Sequence, residues 1–210
     1  MGVGLRAPEG CERSKATMRR ALLAGRRARG PGERAEVAER LRDVVLSAGV
    51  LPRAGGVVAC YSSFGTEPGT WPLVAAMSAR GTRVLLPHTC SGEDGAGVRL
   101  GWGEAHLGEV PDAEPPSPGP DLGPGALAEA CVVLVPALAV DTAGRRLGRG
   151  GGYYDRALEG LRERRGTLPP VVALVHDEEV LDAGVEPVPA LEHDVRVGHV
   201  ATPTRWRRLD

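Results

Sequence analysis

Residues 146–155 read Arg146-Leu-Gly-Arg-Gly-Gly-Gly-Tyr-Tyr-Asp155, which places four glycines, two arginines, two tyrosines and a carboxylate in ten positions. Glycine opens positive φ and lets backbone N–H groups approach a ligand closely. Successive N–H groups of that kind form a concavity that holds anions. The apolar run at 131–135 reads as a buried strand, and 153–165 reads as a helix. A loop between them aims its ligand at a helix N-terminus, where the dipole favours phosphate. Arg146 and Arg149 add fixed positive charge, and Asp155 is placed to hold a metal bound to the same phosphates. The chemistry is that of a polyphosphate site. No Lys-Ser/Thr pair follows, which excludes the G-x-x-x-x-G-K-[ST] phosphate loop, and the glycine spacing is not G-x-G-x-x-G.

A second residue stands out by its rarity. Lys15 is the only lysine among 26 basic residues. A chain that uses arginine almost everywhere keeps lysine where a compact point charge is needed. On a helix, Lys15 and Arg19 share one face at i, i+4.

The run Arg145-Arg-Leu-Gly-Arg-Gly-Gly-Gly-Tyr-Tyr-Asp-Arg156, with Val135-Pro-Ala-Leu-Ala-Val-Asp141 before it, resembles the signature of the 5-formyltetrahydrofolate cyclo-ligase family. Three weaker segments agree in order and spacing: Lys15-x-x-x-Arg19, Glu67-x-x-Thr70 and His193-Asp194. The likeness runs over about residues 14–202. Three departures are Glu179, where glutamine is common, Gly198, where an acid is common, and the 108–115 segment, which keeps only Glu114-Pro115 clearly.

The resemblance implies an ATP- and Mg²⁺-dependent ligase that converts 5-formyltetrahydrofolate to 5,10-methenyltetrahydrofolate, with ATP as co-substrate. By the same resemblance ATP contacts fall on Lys15, Ala16, Thr17, Met18 and Arg19, and on Arg146, Leu147, Gly148, Arg149, Gly150, Gly151, Gly152, Tyr153 and Tyr154. Folate contacts fall on Ser62, Glu67, Arg149, Gly150, Gly151, Gly152 and Tyr153, with Glu67 on the pterin. Asp155 and Asp194 are the implied Mg²⁺ ligands, and Lys15, Arg149 and Asp155 the implied catalytic set. Two alternatives stay open on the residues: a family relative with the same ATP site and another substrate, and a nucleotide-binding protein without turnover.

The elements that must position these residues are legible in outline. Residues 1–13 lack periodicity and read as a disordered leader before a single α/β domain over 14–210. Helices are predicted at 14–28, capped by Ser14, at 33–48, at 71–80 and at 153–165, with a turn at 177–181. The arginines of the first helix, including Arg26, read mostly as a solvated face. Strands are predicted at 57–61, 83–87, 98–102, 131–135, 171–175 and 195–201, and 103–125 as an irregular surface excursion. Continuous apolar strands alternating with helices imply three layers, a mostly parallel or mixed sheet with helices on both faces.

Composition narrows the setting. A net charge of −1 argues against a general nucleic-acid surface. No apolar run approaches the ~20 residues that span a bilayer. The four cysteines have no metal-ligand spacing and fit reduced thiols in a cytoplasmic protein, with Cys60 and Cys131 as core residues. The partners that the resemblance implies are 5-formyltetrahydrofolate and ATP; composition adds no nucleic acid and no membrane, and a monomer or small homo-oligomer is expected.

Overall fold

A computed structural model describes residues 9–91, 98–108, 115–191 and 194–209. The elements in chain order are α1 (Glu9–Ala28), α2 (Pro31–Ser47), β1 (Val57–Cys60), α3 (Trp71–Ala79), β2 (Arg83–Ser91), β3 (Val98–His106) and β4 (Ser117–Pro118). There follow β5 (Val132–Pro136), β6 (Ala139–Asp141), β7 (Arg146–Leu147), α4 (Tyr153–Arg165), β8 (Val171–Leu174), β9 (Val180–Leu181), β10 (His199–Ala201) and β11 (Trp206–Arg208). Short 3₁₀ helices occupy Pro124–Glu129 and Asp177–Glu179.

An eight-stranded sheet runs in the order β11-β10-β8-β5-β1-β2-β3-β4. Its five central strands, β10, β8, β5, β1 and β2, are parallel, and both edges are antiparallel. Each buried strand is apolar on both faces because both are covered. Val132 and Leu134 of β5 pack with Leu41 and Val45 of α2 and Leu73, Val74 and Met77 of α3. Val133 and Val135, the alternate residues, pack with Leu158 and Leu161 of α4. The period-two alternation of a strand thus builds both cores. The expected three-layer α/β fold is what forms.

Along the chain the parallel strands are laid down as β1, β2, β5, β8 and β10, so the winding reverses between β1 and β5. In an open α/β sheet the crevice outside the carboxyl ends at such a reversal is where ligands bind. Tyr61 and Ser62 leave the end of β1 there, and Pro136 and Ala137 end β5.

Several expectations are corrected. The first helix begins at Glu9, so residues 9–13 are helical backbone and Ser14 lies inside the helix rather than capping it; residues 1–8 lie outside the described part. The glycine loop does not follow β5 directly. The β6–β7 hairpin intervenes, completed to a three-stranded sheet by β9 from later in the chain, and its strands are too short to register as periodicity. The described residues of 103–125 are less irregular than expected, since β3 pairs with β2 as far as Glu104 and with β4 at Ala105 and His106. The final strand is shorter, His199–Ala201, and β11 was not foreseen. Cys60 is buried as expected, but Cys131, one residue before β5, is exposed. Among the described residues, no helix is long and apolar enough to cross a membrane.

Leu134 is fully buried in the central strand β5. Leu134→Ala is expected to lower unfolding stability by about 2–5 kcal/mol, read from urea denaturation. A loss below about 1 kcal/mol would mean that this layer is not closely packed.

Candidate active site

The residues after β1 form a tightly held loop. Thr70, fully buried at the start of α3, donates through its hydroxyl to the Tyr61 carbonyl at 2.9 Å and accepts from the Ser63 amide at 3.2 Å. Its own amide donates to the Ser63 hydroxyl at 3.0 Å. The Tyr61 hydroxyl donates to the Pro68 carbonyl at 2.7 Å. With its inner side bonded in this way, the loop presents Ser62, Phe64 and Glu67 to the crevice.

The glycine loop enters from the other side on the β6–β7 hairpin. Asp141, fully buried, turns that hairpin by accepting from the amides of Ala143 and Arg145, both at 3.0 Å, and from the Arg145 side chain at 2.6 Å. Gly144 has φ of 76°, and a Cβ there would lie 2.5 Å from the Val197 carbonyl, so no other residue fits this turn. The hairpin delivers Arg146, then Gly148 to Gly152. Gly150 and Gly152 have φ of 106° and 64°, and Gly152 is the N-cap of α4. The bare amides at the start of α4 therefore open onto the crevice.

α1 closes the third side. Lys15 is buried and donates to Asp194 Oδ2 at 2.8 Å, and Arg19 donates to the Gly148 carbonyl at 3.0 Å. The same Asp194 oxygen accepts from the Leu191 amide at 2.8 Å. Arg146 Nη2 donates to Asp155 Oδ1 at 2.6 Å, while Arg146 Nε is buried without a partner among the described residues. Arg149 faces Glu67 Oε1 at 3.4 Å, with its guanidinium 4.6 Å from the centre of the Phe64 ring. Together these groups line one cleft of about 890 Å³.

Burial sets the electrostatics of the cleft. Desolvation raises the Glu67 carboxyl above its ordinary value, against the Phe64 amide and Arg149, which favour the charged form. Desolvation also holds the Tyr61 and Tyr154 phenols well above the usual range, so both stay neutral donors. Cys60 is pushed far up by burial and is not a nucleophile.

Nearly all the expected site residues meet in this cleft: Lys15, Arg19, Ser62, Glu67, every residue from Arg146 to Asp155, and Asp194. Three do not. Ala16 is exposed, while Thr17 and Met18 turn into a separate groove of about 720 Å³ with Leu22 and Glu186. At about 100° per residue a helix presents only part of a five-residue run to one side. His193 lies outside the described residues. Trp71 is exposed and does not line the cleft, whereas Tyr61 does.

Residues that were missed include Phe64, Pro87, Leu100 and Leu191 on the wall, and Arg26. Arg26 is only 1% exposed, not part of a solvated face. Its position eleven residues after Lys15, about three helical turns, was the available signal.

Known proteins resemble the chain over most of its length. A family model described as the 5-formyltetrahydrofolate cyclo-ligase family matches residues 11–203. A 5-formyltetrahydrofolate cyclo-ligase of Mycolicibacterium smegmatis is 40% identical over 198 residues, covering 92% of this chain and 95% of that protein. One from Escherichia coli K12 is 32% identical over 151 residues, covering 70% of this chain and 78% of the relative. The NMR structure of an Aquifex aeolicus 5,10-methenyltetrahydrofolate synthetase superposes with a TM-score of 0.67 at 22% identity, over 93% of this chain and 92% of the other, and shares the fold.

The raised carboxyl of Glu67 has a consequence for stability. Above the ordinary value of 4.5 the folded protein holds a proton that the unfolded chain has released, so stability falls as pH rises from there toward the folded-state value. Urea midpoints from about pH 4 to about pH 7 should decline more steeply in the native protein than in Glu67→Gln. Parallel profiles would show that Glu67 is solvated.

Proposed function

The chain belongs to the 5-formyltetrahydrofolate cyclo-ligase family, and from that premise we propose that it uses ATP and Mg²⁺ to convert 5-formyltetrahydrofolate to 5,10-methenyltetrahydrofolate, releasing ADP and phosphate. The observation that carries the proposal is the convergence of Lys15, Arg19 and the glycine loop at the N-terminus of α4, facing Glu67 across one cleft at the strand-order reversal. One end of the cleft suits polyphosphate, and the other a heterocycle rich in N–H donors.

An amide oxygen is a poor leaving group. The formyl oxygen attacks the γ-phosphorus of ATP, the bond to the bridging oxygen breaks, and ADP leaves. The resulting phosphorylated imidate is attacked by N10 at the formyl carbon. N10 loses its proton, the carbon–oxygen bond breaks, and phosphate departs. Such a transfer needs positioning and charge neutralisation more than covalent help from the protein. Lys15, Arg19 and the amides of Gly148 to Gly152 supply fixed positive potential where charge moves. Glu67 receives N–H donors of the pterin and Ser62 borders it. Arg149, already stacked on Phe64 and paired with Glu67, lies between the two substrates.

Asp155 and Asp194 are the residues that would hold Mg²⁺, which favours one or two carboxylates together with substrate phosphates. Both are partly exposed on the cleft wall, at 28% and 18% of their side chains, and their oxygen donors fit that ion. When bound, the ion neutralises phosphate charge. Unpaired thiols at Cys60, Cys90 and Cys131 support a cytoplasmic setting.

Purified protein mixed with Mg-ATP and 5-formyltetrahydrofolate should develop methenyl absorbance. ATP binding without that product would sink the proposal. Lys15→Arg keeps the charge but not the point-like ammonium, so kcat/KM for ATP should fall roughly ten- to hundredfold with little change in Tm. Normal turnover at limiting ATP would remove α1 from the ATP site.

Asp155→Asn and Asp194→Asn should each shift the Mg²⁺ dependence of turnover to higher concentration while far-UV circular dichroism stays native. An unchanged titration in both variants would reject the metal assignment.

A further inference from the structure

α1 is docked in an unusual way. Within residues 14–28 its only buried side chains are Lys15 and Arg26, both cations. Its apolar residues Met18, Leu22 and Leu23 only partly cover a small cluster formed by Leu138, Ala139, Leu147 and Val188. Helices are usually seated by an apolar stripe. Here polar anchors must define the seat.

The stronger anchor is at Arg26. Its Nε donates to Glu179 Oε1 at 2.6 Å, and its Nη2 to Glu179 Oε2 at 2.7 Å and to the Ala137 carbonyl at 2.6 Å. Glu179 Oε2 also accepts from the His176 amide at 2.8 Å. The pair is 1% and 2% exposed. A bidentate guanidinium–carboxylate contact fixes orientation as well as distance. It ties α1 at once to the residue after β5 and to the 3₁₀ turn after β8.

Helical geometry turns this anchor into a gauge. Arg26 is eleven residues beyond Lys15, hence about 20° from it around the axis and roughly 16 Å along it. Any roll of α1 that moves Arg26 moves Lys15 by the same angle, and Arg19 with it. We propose that the buried Arg26–Glu179 pair is a positioning device that sets the roll and depth of α1, and thereby places Lys15 and Arg19 at the phosphate end of the cleft. Neither Arg26 nor Glu179 touches the reacting atoms in this role. The inference rests on the reading of Lys15 and Arg19 as ATP ligands.

The test replaces the pair by apolar residues of similar length, Arg26→Met with Glu179→Met. Such a replacement leaves no unpaired buried charge, so it costs less stability than removing one partner alone. The expected result is a KM for ATP raised roughly ten- to hundredfold, a KM for 5-formyltetrahydrofolate within about twofold of the native value, and faster amide hydrogen exchange in α1. An unchanged KM for ATP and unchanged exchange in the double variant overturn the proposal. Should the double variant not fold, Arg26→Lys decides: it keeps the charge but cannot make the bidentate contact, so a raised KM for ATP supports the proposal and a native one overturns it. Lys15→Ala run alongside tests the underlying reading. If it leaves ATP use unchanged, that reading fails, whereas a loss there with a normal double variant rejects the positioning role alone.

Discussion

The molecule depends on one buried carboxylate. Asp141 has no exposed surface, yet its two oxygens accept from three amides, those of Ala143, Arg145 and Val188, and from the Arg145 side chain. An ionised group taken out of water must be compensated in this way or the fold would not keep it. The compensation has a geometric result. It closes the β6–β7 hairpin, holds the segment at Val188 against it, and so fixes the point from which Arg146 and the glycine loop depart. Apart from Arg149 the loop from Gly148 to Gly152 carries no side chains and has little means of holding its own shape. Its precision is borrowed from the hairpin.

The cleft built on this frame is lined by opposite charges in pairs: Lys15 with Asp194, Arg146 with Asp155, and Arg149 with Glu67. Without ligand each of these three cations has a carboxylate partner, which limits the cost of holding so much charge in a partly buried space. A polyanion entering the cleft meets cations that must turn from those partners or share them, and the released carboxylates become available to a divalent cation. On the proposed function the nucleotide and its counter-ion would belong together, since each would relieve the imbalance that the other creates.

The glycine-loop side of the cleft was legible because its conformational requirements are written into residue types at short range. Positive φ at Gly150 and Gly152, a helix start at Tyr153 and a solitary lysine all leave local marks. The major elements were legible for the same reason, since the buried strands are uninterrupted apolar runs. What escaped depends on contacts distant in sequence. Two-residue strands such as β7 and β9 carry no period, and the role of Arg26 appears only when Glu179, 153 positions later, is placed beside it. The exposure of Cys131 was misread because an apolar run does not mark the residue at which the sheet begins to cover it. Arg149 turned out to be engaged toward Glu67 and Phe64, a long-range pairing that the spacing of the glycine motif does not encode.

The rarity of lysine has one more consequence, a practical one. Every other side-chain cation that could meet an outside reagent is a guanidinium or an imidazole, so the protein carries a single ε-amine, and that amine is buried at the wall of the cleft. Acylating reagents and lysine-specific endoproteases therefore find one internal target, within a helix whose seat is polar. Cutting at Lys15 becomes a clock for the unseating of α1, read from a single site.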